Sequence, residues 1–89
     1  MILVSYDIKS DKVRTRFSKM LVSNGAIRLQ YSVYEVRNTK RIMDILVVKV
    51  EAFSKYFTAD DSVVILEVDG KNIKKFGNAI HRDKPIVYF

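Results

Sequence analysis

The sequence predicts an α+β sandwich of β-α-β-β-α-β order with an extra strand at the C-terminus. Two kinds of segment and the length carry this expectation. Short apolar or alternating runs read as strands, and between them lie two stretches with apolar residues at helical spacing. Eighty-nine residues suit a single domain, which at this size buries only roughly 60–65% of its unfolded surface and gains from self-association.

The first strand covers residues 2–8, ILVSYDI, apolar or aromatic until Asp7. Ser10 or Asp11 can cap the helix that follows, where Val13, Phe17, Met20 and Leu21 fall at i, i+4, i+7 and i+8. Asn24-Gly25 ends it, with Gly25 as a natural C′ residue. Residues 26–37 alternate like a strand but change phase. Ile27, Leu29, Tyr31 and Val33 share one face, after which Tyr34 and Val36 are apolar on the other. Such a change means a bulge, a sharp bend, or two strands joined by a very tight turn, although no Gly, Asn or Pro marks one.

Residues 39–57 predict a second helix, with Ile42, Ile45, Leu46, Val50, Phe53, Tyr56 and Phe57 on one arc. Val47 and Val48 fall off the arc and are candidates for meeting a partner, while Lys49 within it can snorkel. A turn at Asp60-Asp61 opens the next strand, residues 60–68, which Asp69-Gly70 closes. Residues 71–89 form a basic tail, helical over 71–82, then Pro85 and a last short strand, IVYF. The order is the ferredoxin-like plan, which hosts many functions and identifies none.

Composition excludes several chemistries. There is no cysteine, hence no disulfide, thiolate metal site or cysteine nucleophile. His81 is the one histidine, which rules out a multi-histidine zinc site in one chain and disfavours a Ser-His-Asp triad; it reads as a tail surface residue. No basic segment precedes the first apolar run, and no stretch approaches the roughly 18 apolar residues of a membrane span, so the expected location is the cytoplasm. A net charge of +6 favours polyanions such as nucleic acid.

Asp7 is the first candidate for chemistry. A buried unpaired carboxylate costs several kcal/mol, so this residue is exposed, paired or functional. As a functional group it is a candidate divalent-metal ligand, because Mg²⁺ takes one or two carboxylates and keeps several waters. Asp11, Asp60, Asp61 and Asp69 stand in no spacing relation to it, so a second ligand would have to come from a second copy of Asp7 across a two-fold axis. Lys12, Arg16 and Lys19 form a basic ribbon along one flank of the first helix, with Arg14 on the opposite flank. They read either as a solvated face or as phosphate contacts, which Arg28, Arg37, Lys71, Lys74, Lys75, Arg82 and Lys84 would widen. Tyr6, Tyr31 and Tyr34 read as half-buried strand residues or as stacking platforms for bases. The three glycines are too scattered to form a phosphate loop.

Tyr6-Asp7-Ile8, Asp11-Lys12 with an arginine-bearing helix, Asn24-Gly25, and Arg28-Leu-Gln-Tyr-Ser-Val-Tyr34-Glu35 together resemble the small CRISPR-associated adaptation proteins. These form the second, ferredoxin-like subunit of the spacer-acquisition machinery and are also described as CRISPR-associated endoribonucleases. The match is close over residues 2–37 and looser over 60–66. The toxin-like ribonucleases related to virulence-associated protein D share the fold. The resemblance implies a symmetric homodimer whose tail strand adds to the partner's sheet. It also implies that Asp7 faces its copy and binds Mg²⁺ or Mn²⁺, one ion shared by the dimer. Matching the family's activity positions are Tyr6, Asp7, Arg14, Arg16, Arg28 and, with tyrosine where phenylalanine is common, Tyr34.

Some family members are credited with metal-dependent cleavage of single-stranded RNA or double-stranded DNA; others are a non-catalytic bridge between integrase dimers. The leading expectation is therefore a DNA-binding scaffold working with the CRISPR integrase in antiviral defence. A metal-dependent endonuclease using Asp7, or a related toxin-like ribonuclease, is the alternative.

Overall fold

The computed structural model describes residues 1–37 and 39–77. In chain order these form β1 (Ile2–Asp7), α1 (Asp11–Ser23), β2 (Ile27–Gln30), β3 (Val33–Val36), α2 (Lys40–Phe53) and β4 (Ser62–Glu67). A 3₁₀ turn, Ser54–Tyr56, continues α2, and another, Gly70–Asn72, follows β4. The strands make one antiparallel sheet of order β2-β3-β1-β4, so the α+β, ferredoxin-like expectation holds.

The local chemistry explains the boundaries. Ser10 caps α1, its hydroxyl accepting from the Val13 N–H, and Thr39 does the same for Ile42 at the start of α2. Gly25 leaves α1 at φ 89°, a left-handed conformation that glycine adopts without a Cβ clash. At residues 26–37 the structure uses two of the devices the phase change allowed. Tyr31-Ser32 is a two-residue turn between β2 and β3, and Leu29 is an extra residue in β2, since Arg28 pairs with Tyr34 while Gln30 already pairs with Val33. Two-residue hairpin turns usually need positive φ, yet no non-glycine residue among those described has one. The bulge at Leu29 supplies the local twist instead.

The pleat sorts β1 onto two faces. Ile2, Val4 and Tyr6 are buried in a core with Phe17, Met20 and Leu21 of α1, Leu46 of α2, and Tyr34 and Val36 of β3. Both helices therefore pack on one face of the sheet. Rings interlock there: Tyr6 meets Phe17 edge-on at 4.9 Å between centroids, and Phe17 meets Phe53 at 5.4 Å. A fully buried Phe or Leu of this kind contributes about 1.5–3 kcal/mol through removal from water. Leu3, Ser5 and Asp7 point to the other face, level with Leu66, Val64 and Ser62 of β4. No helix among the described residues covers that face, and Val64 and Leu66 stay about half exposed.

Two expectations change, and a third lies outside the described residues. The second helix ends at Phe53, not 57, and its 3₁₀ continuation turns Tyr56 out of the apolar arc. Three residues per turn instead of 3.6 rotate each successive side chain, and no Gly or Pro announces the switch. Of the helix expected over 71–82, only residues 71–77 are described; they begin in a 3₁₀ turn, Gly70–Asn72, and continue as irregular chain over 73–76. That segment returns to the sheet, where Lys75 Nζ meets Glu35 Oε1 at 2.7 Å. The final strand IVYF, with His81, Arg82, Lys84 and Pro85, lies outside the described residues.

Candidate nucleic-acid interface

Pairing and pleat bring one set of predicted residues together. Arg28 is level with Tyr34, which is level with Val4, and Tyr6 follows on the same face two residues along β1. On α1, Arg14, Thr15 and Ser18 border this corner. With Tyr31 from the turn they line a cavity of about 100 Å³ that contains two guanidinium groups, three phenols, two aliphatic hydroxyls and no carboxylate. The Tyr6 and Tyr34 rings stack at 6.1 Å. Burial, reinforced by Tyr34, pushes the Tyr6 phenol up to about 12, so it keeps its proton and can donate. The Arg28 guanidinium lies 5.1 Å above the Tyr31 ring, a cation–π contact that holds it over the opening. A donor-rich cavity of this size suits one phosphate group rather than a whole nucleotide.

Arg14 is committed differently. Its Nη1 donates to the Ile8 carbonyl at 3.0 Å and its Nη2 pairs with Asp11, so it braces the β1–α1 loop and its charge is already matched. On the opposite flank of α1, Lys12, Arg16 and Lys19 are exposed, and none of the three forms an ion pair with a described residue. Two of them, Lys12 and Arg16, border a groove floored by Val13 and Phe53 and walled by Tyr56.

The other candidates separate from this region. Asp7 is adjacent to Tyr6 but points to the uncovered sheet face, exposed and paired with Lys9 Nζ at 3.2 Å. Among the described residues no three His, Asp or Glu side chains gather as a metal-binding group. One carboxylate already matched by a lysine does not fit a divalent cation within a single chain, and no step is assigned to one. Asp61 lies nearby in the loop before β4, but its oxygens accept from the Lys9 and Thr58 backbone N–H groups, both at 2.8 Å. Those bonds hold its carboxyl below the usual range.

Arg37 stands at the opposite end of β3 beside Asn24, Gly25 and Ile42, away from Arg28. Lys71 and Lys75 are engaged by Asp69 and Glu35. The tail lysines thus extend the basic surface less than their number suggests. Missed from the sequence were Ser18, four residues after Arg14 on the same side of the helix, and Thr15, three residues before Ser18. Lys9, the partner of Asp7, was also missed, as was the outward turn of Tyr56.

A small, basic ferredoxin-like sandwich results, with a phosphate-sized donor pocket and a cationic ribbon on its helical side and the exposed carboxylate of Asp7 on the opposite sheet face. The family model CRISPR associated protein Cas2 matches residues 1–76 of the chain, and the protein belongs to that family. It is therefore CRISPR-associated. No curated protein matches it significantly. No helix among the described residues is long and apolar enough to cross a membrane.

Proposed function

We propose that this protein is a non-catalytic, DNA-binding subunit of CRISPR spacer acquisition, acting as a homodimeric scaffold for the CRISPR integrase. The observation that carries this reading is the separation of charge in the fold. The helical side holds the cations Lys12, Arg16 and Lys19, none of them in an ion pair with a described residue, together with the Arg28 pocket, while the opposite face holds apolar Leu3, Val64 and Leu66. Two copies joined through the apolar face would bury it and leave both cationic sides outward for duplex phosphates. The exposed pair Val47 and Val48 on α2, 39% and 65% exposed, offers the integrase an apolar contact. Transesterification belongs to the integrase.

Metal-dependent nuclease activity is the second reading, favoured by the placement of Asp7 on the bare face. Two copies of Asp7 meeting across that face would provide the carboxylates for Mg²⁺ or Mn²⁺, which when bound supplies Lewis-acid chemistry. Wild type and Asp7→Asn compared in reconstituted integration and in nuclease assays on RNA and duplex DNA separate the two. The scaffold reading expects integration retained in both, with no cleavage by either. Integration that proceeds as well without this protein would sink it. Cleavage by wild type that is lost in Asp7→Asn would instead establish the nuclease.

A further inference from the structure

The chain beyond β4 turns back to its own sheet. Asp69 caps the 3₁₀ turn Gly70–Asn72, its Oδ1 accepting from the Lys71 N–H at 3.1 Å, and Ile73 leaves that turn in extended conformation. From there burial alternates: Ile73 and Lys75 are half-buried, while Lys74 and Phe76 are exposed. Lys75 Nζ donates to Glu35 Oε1 at 2.7 Å, and the two side chains are only 21% and 13% exposed. Glu35 is level with Leu3 of β1, which is level with Leu66 of β4, and alternation puts all three on the face that no described helix covers. Because β1 lies between β4 and β3, the segment and its lysine together span two strand spacings, about 10 Å of sheet.

Stacked sheets pack about 10 Å apart, which leaves room for two layers of side chains and none for a length of backbone between them. A second copy seated on Leu3, Val64 and Leu66 therefore requires the chain at Lys75 to leave Glu35. Resting on the homodimer reading above, we propose that residues 70–76 are an intramolecular strap that competes with a second copy of the chain for this face, latched by the Lys75–Glu35 pair. The latch sets what fraction of the protein is open to dimerise. A charge-assisted hydrogen bond of this kind favours the closed strap roughly tenfold. Both copies must open, so the latch weakens dimerisation by the square of that preference, on the order of 100-fold.

The test measures the monomer–dimer constant of the full chain by sedimentation velocity across a dilution series, with circular dichroism to confirm folding. Glu35→Gln and Lys75→Gln should each dimerise about 100-fold more tightly than wild type. The chain has no native cysteine, so a double Glu35→Cys, Lys75→Cys variant bridged by a short bis-maleimide locks the strap closed. The bridged protein should be monomeric at concentrations where the unbridged one is a dimer. Glutamine variants with the wild-type constant overturn the proposal and leave the homodimer reading standing, as does a bridged protein that still dimerises. Tightening by Glu35→Gln alone assigns the effect to removal of a carboxylate from the face and also overturns the latch. If wild type and every variant stay monomeric, the homodimer reading falls and the strap proposal falls with it.

Discussion

Salt dependence gives the sharpest test of the proposal that α1 contacts DNA phosphates. Lys12, Arg16 and Lys19 are exposed and unpaired with any described residue, so each is free to neutralise one phosphate. For duplex DNA each such contact lowers the slope of log affinity against log salt by about 0.9, giving about −2.7 per engaged protomer from the ribbon. Raising salt fourfold, from 50 to 200 mM, should then weaken binding about 40-fold through these residues alone. Each single alanine substitution should flatten the slope by about 0.9, and the triple variant by about 2.7. Arg14→Ala should flatten it by much less, because Asp11 already matches that guanidinium and Ile8 holds it. Anisotropy titrations across this salt range, with circular dichroism to confirm folding, read all six proteins including wild type. A triple variant with the wild-type slope would refute the assignment of this face to phosphate, however basic the chain is overall.

Core and loop make separate predictions. Phe17 is fully buried and touches two other rings, so Phe17→Ala should cost about 3–5 kcal/mol in urea unfolding; a loss below about 1 kcal/mol would show that the ring cluster is not the centre of the core. Asp61 is held below its unfolded value near 3.9 by the Thr58 and Lys9 N–H bonds, so its stabilising effect is full above about pH 4 and fades as pH falls through the lower folded value. Asp61→Asn should therefore be less stable than wild type at neutral pH and should lose less on acidification. Parallel stability curves for the two proteins between pH 2 and 6 would contradict this.

The sequence made local rules legible wherever one residue type carries them. Ser10 and Thr39 sit at helix starts, Gly25 at a helix end, and the apolar spacing of Val13, Phe17, Met20 and Leu21 marks the face that meets the sheet. The phase change at 26–37 was visible as an ambiguity, because a bulge and a turn both shift alternation by one residue. What lay beyond reach came from long-range pairing. That Arg28 joins Tyr6 depends on β3 threading between β2 and β1, and no local pattern states it. The separation of Asp7 from the arginines is different, since strand alternation alone puts Tyr6 and Asp7 on opposite faces. The motif string lists these residues together, but the pleat divides them. Tyr56 was misplaced because the change from α to 3₁₀ geometry carries no Gly or Pro signal.

The hairpin between β2 and β3 shows what a fold gains by choosing where to reverse its chain. Most two-residue reversals reserve the tip for glycine, asparagine or aspartate, leaving no aromatic ring there that can stack. Here the extra residue at Leu29 takes on the geometric task and hides it under cover, since Leu29 is buried. The tip is then open to any amino acid, and this chain places there an aromatic ring that steadies a guanidinium. Position 31 is consequently where related chains can vary what the pocket accepts without altering how the strand pair closes.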